Sequence, residues 1–189
     1  MLRPTEELVR EHRLILSLLE RLEALVDQAL AAPRSPPAAS LHEVLALLCL
    51  LDDLHHGKEE DWLLPALERA ALPRGRVSLE VTLDEHMEAR ALLAELLFAL
   101  GGLDLGQEVA AQDLANAAAR YARLMRRHMI NENEVLFPLA ETTLPGEAKR
   151  ALLDGFAALE RELLGGAGGM DALVARIDAA LENGAPAAA

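Results

Sequence analysis

The chain has 189 residues, enough for one domain with a sizeable core. Its residues are 52% apolar but only 3% aromatic, so the apolar content is leucine and alanine, which favours helix and leaves sheet without its usual residues. The formal net charge of −13 argues against nucleic acid or an anionic membrane surface as partner. The single cysteine, Cys49, rules out an internal disulfide and fits a reducing compartment. The opening residues lack the apolar run of a signal peptide, and no stretch of about 18 uncharged apolar residues exists. We therefore expect a cytoplasmic chain with no membrane span.

In chain order, the first predicted helix opens near Thr5, a suitable N-cap, with Glu6 and Glu7 at the positive end of the helix dipole. Its apolar stripe is Leu8, His12, Ile15, Leu16, Leu19, Leu22 and Val26, and it stops before a proline-rich linker at Pro33, Pro36 and Pro37. A second helix opens near Ser40, with Leu41, Val44, Leu45, Leu48, Leu51, His55, Glu59 and Trp62 on its stripe, and fades near Leu72 and Pro73. Pro65 falls inside that run and predicts a kink. A third helix starts near Ser78, carries Leu79, Thr82, His86, Ala89, Leu93, Leu96 and Leu100, and is predicted to end at Gly101 and Gly102. A fourth, from about Gln107, carries Leu114, Ala117, Ala118, Tyr121, Leu124, His128, Glu132, Val135 and Leu139. Four long amphipathic helices on short links predict an all-α, up-down antiparallel four-helix bundle over residues 1–143. A C-terminal extension, 144–183, adds one or two helices around a glycine-rich break at 165–169, and residues 184–189 read as a flexible tail.

The two halves of the bundle repeat one another. Glu11-His12 matches Glu85-His86, 74 residues later, and the segment from His55 to Pro65 matches that from His128 to Pro138, 73 residues later. Each half is a helix with one histidine, then a helix with His-x-x-x-Glu. Residues i and i+4 share a helix face, so His55 and Glu59 aim at one spot, as do His128 and Glu132. With His12 and His86 on the apolar stripes of their own helices, six donors face the expected core. A buried carboxylate is costly unless paired or bound to a metal. We assigned no lysine or arginine to these stripes, so the donors imply cations. Imidazole with carboxylate suits iron, manganese or zinc.

Several residues have more than one reading. His55-His56 and Glu59-Glu60 offer two i, i+4 pairs, and alignment on Pro65 and Pro138 selects His55 and Glu59 as the core pair. His56 lies about 100° round the helix and aligns with Met129, so it is either a seventh donor on one metal or a surface residue. We favour the donor, because the third helix supplies only His86. Tyr121, two turns from His128, is a core residue or a hydrogen-bond donor to the ligands. His42 reads as exposed, and Cys49 and Trp62 as packing residues.

The order His, His-x-x-x-Glu, His, His-x-x-x-Glu, with the phrases Glu-Glu-Asp-Trp-Leu-Leu-Pro and Glu-Asn-Glu-Val-Leu-Phe-Pro, resembles the hemerythrin-like (HHE cation-binding) family over about residues 5–140. The resemblance implies two non-haem iron ions, oxo- or hydroxo-bridged, with Glu59 and Glu132 bridging and the histidines terminal. Oxygen carriers of that family have a further histidine four residues after the third-helix histidine, where this chain has Arg90; His56 is placed to compensate. Ferritin-like proteins use Glu-x-x-His, and no glutamate here lies three residues before a histidine. The resemblance implies a protein that binds or senses dioxygen or manages iron. The alternative is a di-iron redox enzyme acting on peroxide or nitric oxide. A small molecule of this kind is the expected partner.

Overall fold

The computed structural model describes residues 3–70, 75–107, 109–165 and 168–182, and among these it is helical with no strand. The helices are α1 (Pro4–Ala31), α2 (Ala38–Lys58), α3 (Leu64–Arg69), α4 (Gly75–Asp104), α5 (Ala110–Asn131), α6 (Phe137–Thr143), α7 (Gly146–Leu164) and α8 (Gly169–Glu182). Two π-helical turns, π1 (Glu59–Leu63) and π2 (Glu132–Leu136), join α2 to α3 and α5 to α6. Helix α1 packs on α2 and α5, and α4 packs on the same two. Helices α7 and α8 lie against α1 and α2. No helix is long and apolar enough to cross a membrane.

The π turns explain where the expected stripes fail. In a regular α-helix the ring of Pro65 would strike the carbonyl four residues back, and its nitrogen has no hydrogen to give. Widening the preceding turn relieves this: the Leu64 amide donates to the Glu59 carbonyl, five residues back. The same occurs before Pro138, where the Phe137 amide donates to the Glu132 carbonyl. Each π turn adds one residue to the turn and so shifts the inward face by one position. Trp62 and Val135, expected on the core stripes, are therefore 37% and 51% exposed, while Leu63, Leu136 and Phe137 are buried. Trp62 instead lies on Gly155 of α7, where an added Cβ would come within 2.3 Å of its ring.

Other boundaries also move. Helix α1 opens one residue before Thr5, because Pro4 suits the first turn and Arg3 caps with its amide on Glu6. Thr5 is buried, and its hydroxyl donates to Glu141. Helix α4 begins earlier than Ser78 and runs through Gly101 and Gly102 to Asp104. Its break comes at Gly106, with φ of +70°. Gly102 serves a close approach instead: a Cβ there would meet Gln107 at 2.9 Å and Ala110 at 3.2 Å. Helix α2 starts at Ala38 and α5 at Ala110. The expected fading of the second helix at Leu72 and Pro73, and the 184–189 tail, lie outside the described residues.

Two apolar clusters fill the interior. The larger runs from Ile15 to Ala29 on α1, through the leucines of α2 and their partners on α4 and α5, and takes in Leu173, Ile177 and Ala180 of α8. The smaller gathers Leu8, Leu63, Leu136 and Phe137 with Leu152 and Phe156 of α7. Between them, at the level where the π turns begin, lies one polar layer. His12 falls between Leu8 and Ile15 in the sequence, His55 between Leu51 and Leu63, and His128 between Leu124 and Leu136.

Candidate metal centre

All seven residues expected as ligands are buried: His12, His55, His56, Glu59, His86, His128 and Glu132. They come from four helices and the first residue of each π turn. Helix periodicity puts His55 above Glu59 and His128 above Glu132.

The donors form two groups that share the glutamates. On one side His12 and His55 bring their Nε2 atoms to 2.9 Å of each other, with Glu132 Oε2 3.1 Å from His12. On the other, Glu132 Oε1 lies 3.1 Å from His128 Nε2, and Glu59 Oε2 lies 3.3 Å from His86 Nε2. Glu59 turns its Oε1 back toward His55, at 3.9 Å. Each carboxylate thus spans both groups, one oxygen to each. His56 stacks on His86, ring centres 3.8 Å apart, and lies edge-on to His128 at 5.4 Å. Ligand atoms of His56, His86 and His128 all fall within 4.8 Å of one another, as do those of His12, His55 and Glu132. The donor set is therefore lopsided, with two histidines on one side and three on the other.

An outer ring of oxygens fixes the rings. His55 Nδ1 donates to Glu11 at 2.9 Å, His86 to Glu60 at 2.7 Å, His128 to Glu85 at 3.0 Å and His12 to Asn133 Oδ1 at 3.2 Å. With the proton on Nδ1, each Nε2 turns a lone pair to the centre. The Nε2 atoms of His12 and His55 then face each other lone pair to lone pair, and those of His86 and His128 face carboxylate oxygens. Both oxygens of Glu59 and Glu132, Nε2 of His86 and His128, and both nitrogens of His56 have no hydrogen-bond partner among the described residues. Buried acceptors turned on one another are repulsive until a cation lies between them. The residues fit a pair of metal ions on this ground.

Charge completes the layer. Burial and the charges of His86, His55 and His128 push the His56 ring well below the usual histidine pKa, so it is a neutral donor. Burial works against charge on His86, but the Glu59 and Glu60 carboxylates raise it to about 9, so a metal ion entering at Nε2 would replace a proton there. Burial would likewise raise Glu132, yet His12, His128 and His55 hold it well below the carboxylate range. Glu60 is brought down to about 2 by His86 and Arg90, which outweigh burial.

The outer ring was missed in the sequence, though the repeat carried its signal. Glu11 and Glu85 stand in the matched Glu-His pairs, each holding the histidine of the neighbouring helix. Glu60 and Asn133, also matched, hold His86 and His12. Asp52 breaks the pattern. Its Oδ1 lies 3.0 Å from His56 Nδ1, off hydrogen-bonding angle, and the corresponding pair 73 residues later is Met125 and Met129. Arg90 contacts Glu60 at 2.8 Å and Asp52 at 3.4 Å, so it backs two carboxylates of the outer ring. Lys58, which is not on the donor stripes, is fully buried behind Glu11 and gives its protons to Glu11, Glu7 and Glu160. Burial would push its ammonium down, but Glu11, Glu160 and Glu7 raise it above the usual lysine value.

Tyr121 is buried in the larger cluster, where burial, Asp52 and Cys49 push its hydroxyl well above the phenolic range. His42 is exposed and pairs with Asp104 at 2.7 Å, and Cys49 packs half-buried against the core.

A family model described as the Hemerythrin HHE cation binding domain matches residues 3–140. Comparison with curated proteins and with solved structures gives no match.

Proposed function

The chain belongs to the hemerythrin HHE cation-binding family, and from that premise we propose that it holds two non-haem irons and uses them to bind or sense dioxygen or to manage iron. The observation that carries this reading is the set of buried, unpartnered nitrogens and oxygens spanned by Glu59 and Glu132. In this reading α1, α2, α4 and α5 form an up-down four-helix bundle, supported by the closed ring of contacts α1–α2–α4–α5–α1.

Glu59 and Glu132 would bridge the irons. His12 and His55 would hold one, and His56, His86 and His128 the other. The irons would supply reversible one-electron chemistry and a place for a small molecule. The protein's part is to aim five imidazoles, fix the protons of four of them, His12, His55, His86 and His128, on the outer nitrogens and keep bulk water out. The two-histidine side has the fewer protein donors, so a small molecule would find room there. Tyr121, buried two turns from His128 on α5, would be a hydrogen-bond donor behind the histidines.

Protein from iron-replete cells should carry about two irons per chain, with near-ultraviolet charge-transfer bands. Reduction and re-exposure to air should cycle the spectrum reversibly. Steady consumption of peroxide or nitric oxide would favour the enzyme. One zinc per chain without such bands would sink the di-iron reading.

His56 gives a narrower test. His56→Ala should keep the fold, lower occupancy on the His86/His128 side and change the spectrum, whereas His42→Ala should do neither. Full iron and an unaltered spectrum in the His56 variant would leave six protein ligands.

A further inference from the structure

Helix α7 lies beyond the residues that match the family, yet one of its side chains reaches toward the metal centre. Glu160 Oε1 accepts from Lys58 Nζ at 2.6 Å. Lys58 also donates to Glu7 at 2.6 Å and to Glu11 at 2.5 Å. Glu11 gives its other oxygen to His55 Nδ1, at 2.9 Å. Resting on the function proposed above, we infer that α7 is a working part of the centre: through Glu160, Lys58 and Glu11 it positions the His55 imidazole and sets the metal affinity of the His12/His55 side.

The internal repeat provides a comparison within the molecule. Glu85 holds His128 as Glu11 holds His55. The cation behind Glu85 is Arg127, 3.1 Å away and 63% exposed, where water and salt screen it. The cation behind Glu11 is shut away, and residue 131, the counterpart of Lys58, is an asparagine. A charged hydrogen bond in a water-poor interior orients its partner more firmly than the same bond at the surface. Helix α7 provides that enclosure. Gly57 lets Leu159 approach so closely that an added Cβ would lie 2.9 Å from it, Gly155 receives Trp62, and the ring of Phe156 sits 5.4 Å from Lys58 Nζ. Lys58 has three protons and three carboxylates to receive them, so removing Glu160 frees one donor and opens a path for water to Glu11.

The test uses the full metal-free chain titrated with cobalt(II), with the visible spectrum resolving two binding steps. Glu160→Ala should weaken one step about threefold or more and shift its bands, less than the roughly tenfold that loss of a direct partner such as Glu11 costs. The other step should stay within about twofold by the same reasoning. Glu160→Gln keeps an acceptor for Lys58 and should restore most of the loss. Glu162→Ala, an exposed acid on the same helix, should change nothing. Two unchanged steps in Glu160→Ala would overturn the inference, and so would equal weakening of both steps with a lower melting temperature of the metal-free chain, which would mark Glu160 as structural. Failure of the unaltered chain to bind two ions would instead overturn the di-iron reading itself.

Discussion

Glu132→Ala should empty both metal positions, whereas His12→Ala should empty one. Glu132 places Oε2 beside His12 and Oε1 beside His128, so on the proposed reading its removal would take a donor from each side. His12 reaches only the two-histidine side, and the His56, His86 and His128 group remains whole without it. Loss of an outer partner alone costs roughly 10–100-fold in metal affinity, and loss of a shared ligand should cost each side at least that. Iron per chain should fall from about two to near zero for Glu132→Ala and to about one for His12→Ala, read by elemental analysis after desalting. Equal loss in the two variants would mean that the irons bind only as a pair. Retention of both irons in Glu132→Ala would remove Glu132 from the site.

That these histidines and glutamates share one buried layer could be read from the sequence because helical spacing is rigid. His-x-x-x-Glu fixes two donors on one face whatever surrounds them, and the 73-residue repeat distinguished His55 from His56. What lay past the glutamates was not legible by the same rule. A fixed period of 3.6 carried Trp62 and Val135 inward, and the π turns before Pro65 and Pro138 carried them out again. Proline announced a disturbance, and the helix meets it by widening the preceding turn. The glycines misled in the other direction. Gly101 and Gly102 looked like a terminus and lie within α4, and at Gly102 the missing side chain serves close packing rather than a stop.

The outer ring was harder, because it depends on which helices are neighbours. Glu11 follows no local rule that links it to His55, and only the packing of α1 on α2 brings them together. The same holds for Lys58 and Glu160, which lie 102 residues apart and touch because α7 folds back over α2.

Metal removal should lower the melting temperature sharply, and Glu59→Gln should abolish that difference. A ligand bound only to the native state stabilises it by about 4 kcal/mol at a thousand times its dissociation constant. For a chain of this length each kcal/mol is worth about 2–4 °C, so chelation should lower the transition by roughly 8–16 °C for one ion at that concentration. Without metal, Glu59 is a buried carboxylate whose two oxygens have no hydrogen-bond partner among the described residues. Glutamine of the same shape removes that charge but also the carboxylate that faces His86 Nε2 at 3.3 Å, and these two effects oppose, so the metal-free variant should melt close to the unaltered metal-free chain. In iron-loaded samples the variant has lost a bridge and with it most of the stabilisation, so its melting temperature should fall to that of the metal-free form. Calorimetry of the four samples, each protein with and without iron, checks both signs at once. A uniform drop in both forms would mean that Glu59 is an ordinary structural group and that the metal is held elsewhere.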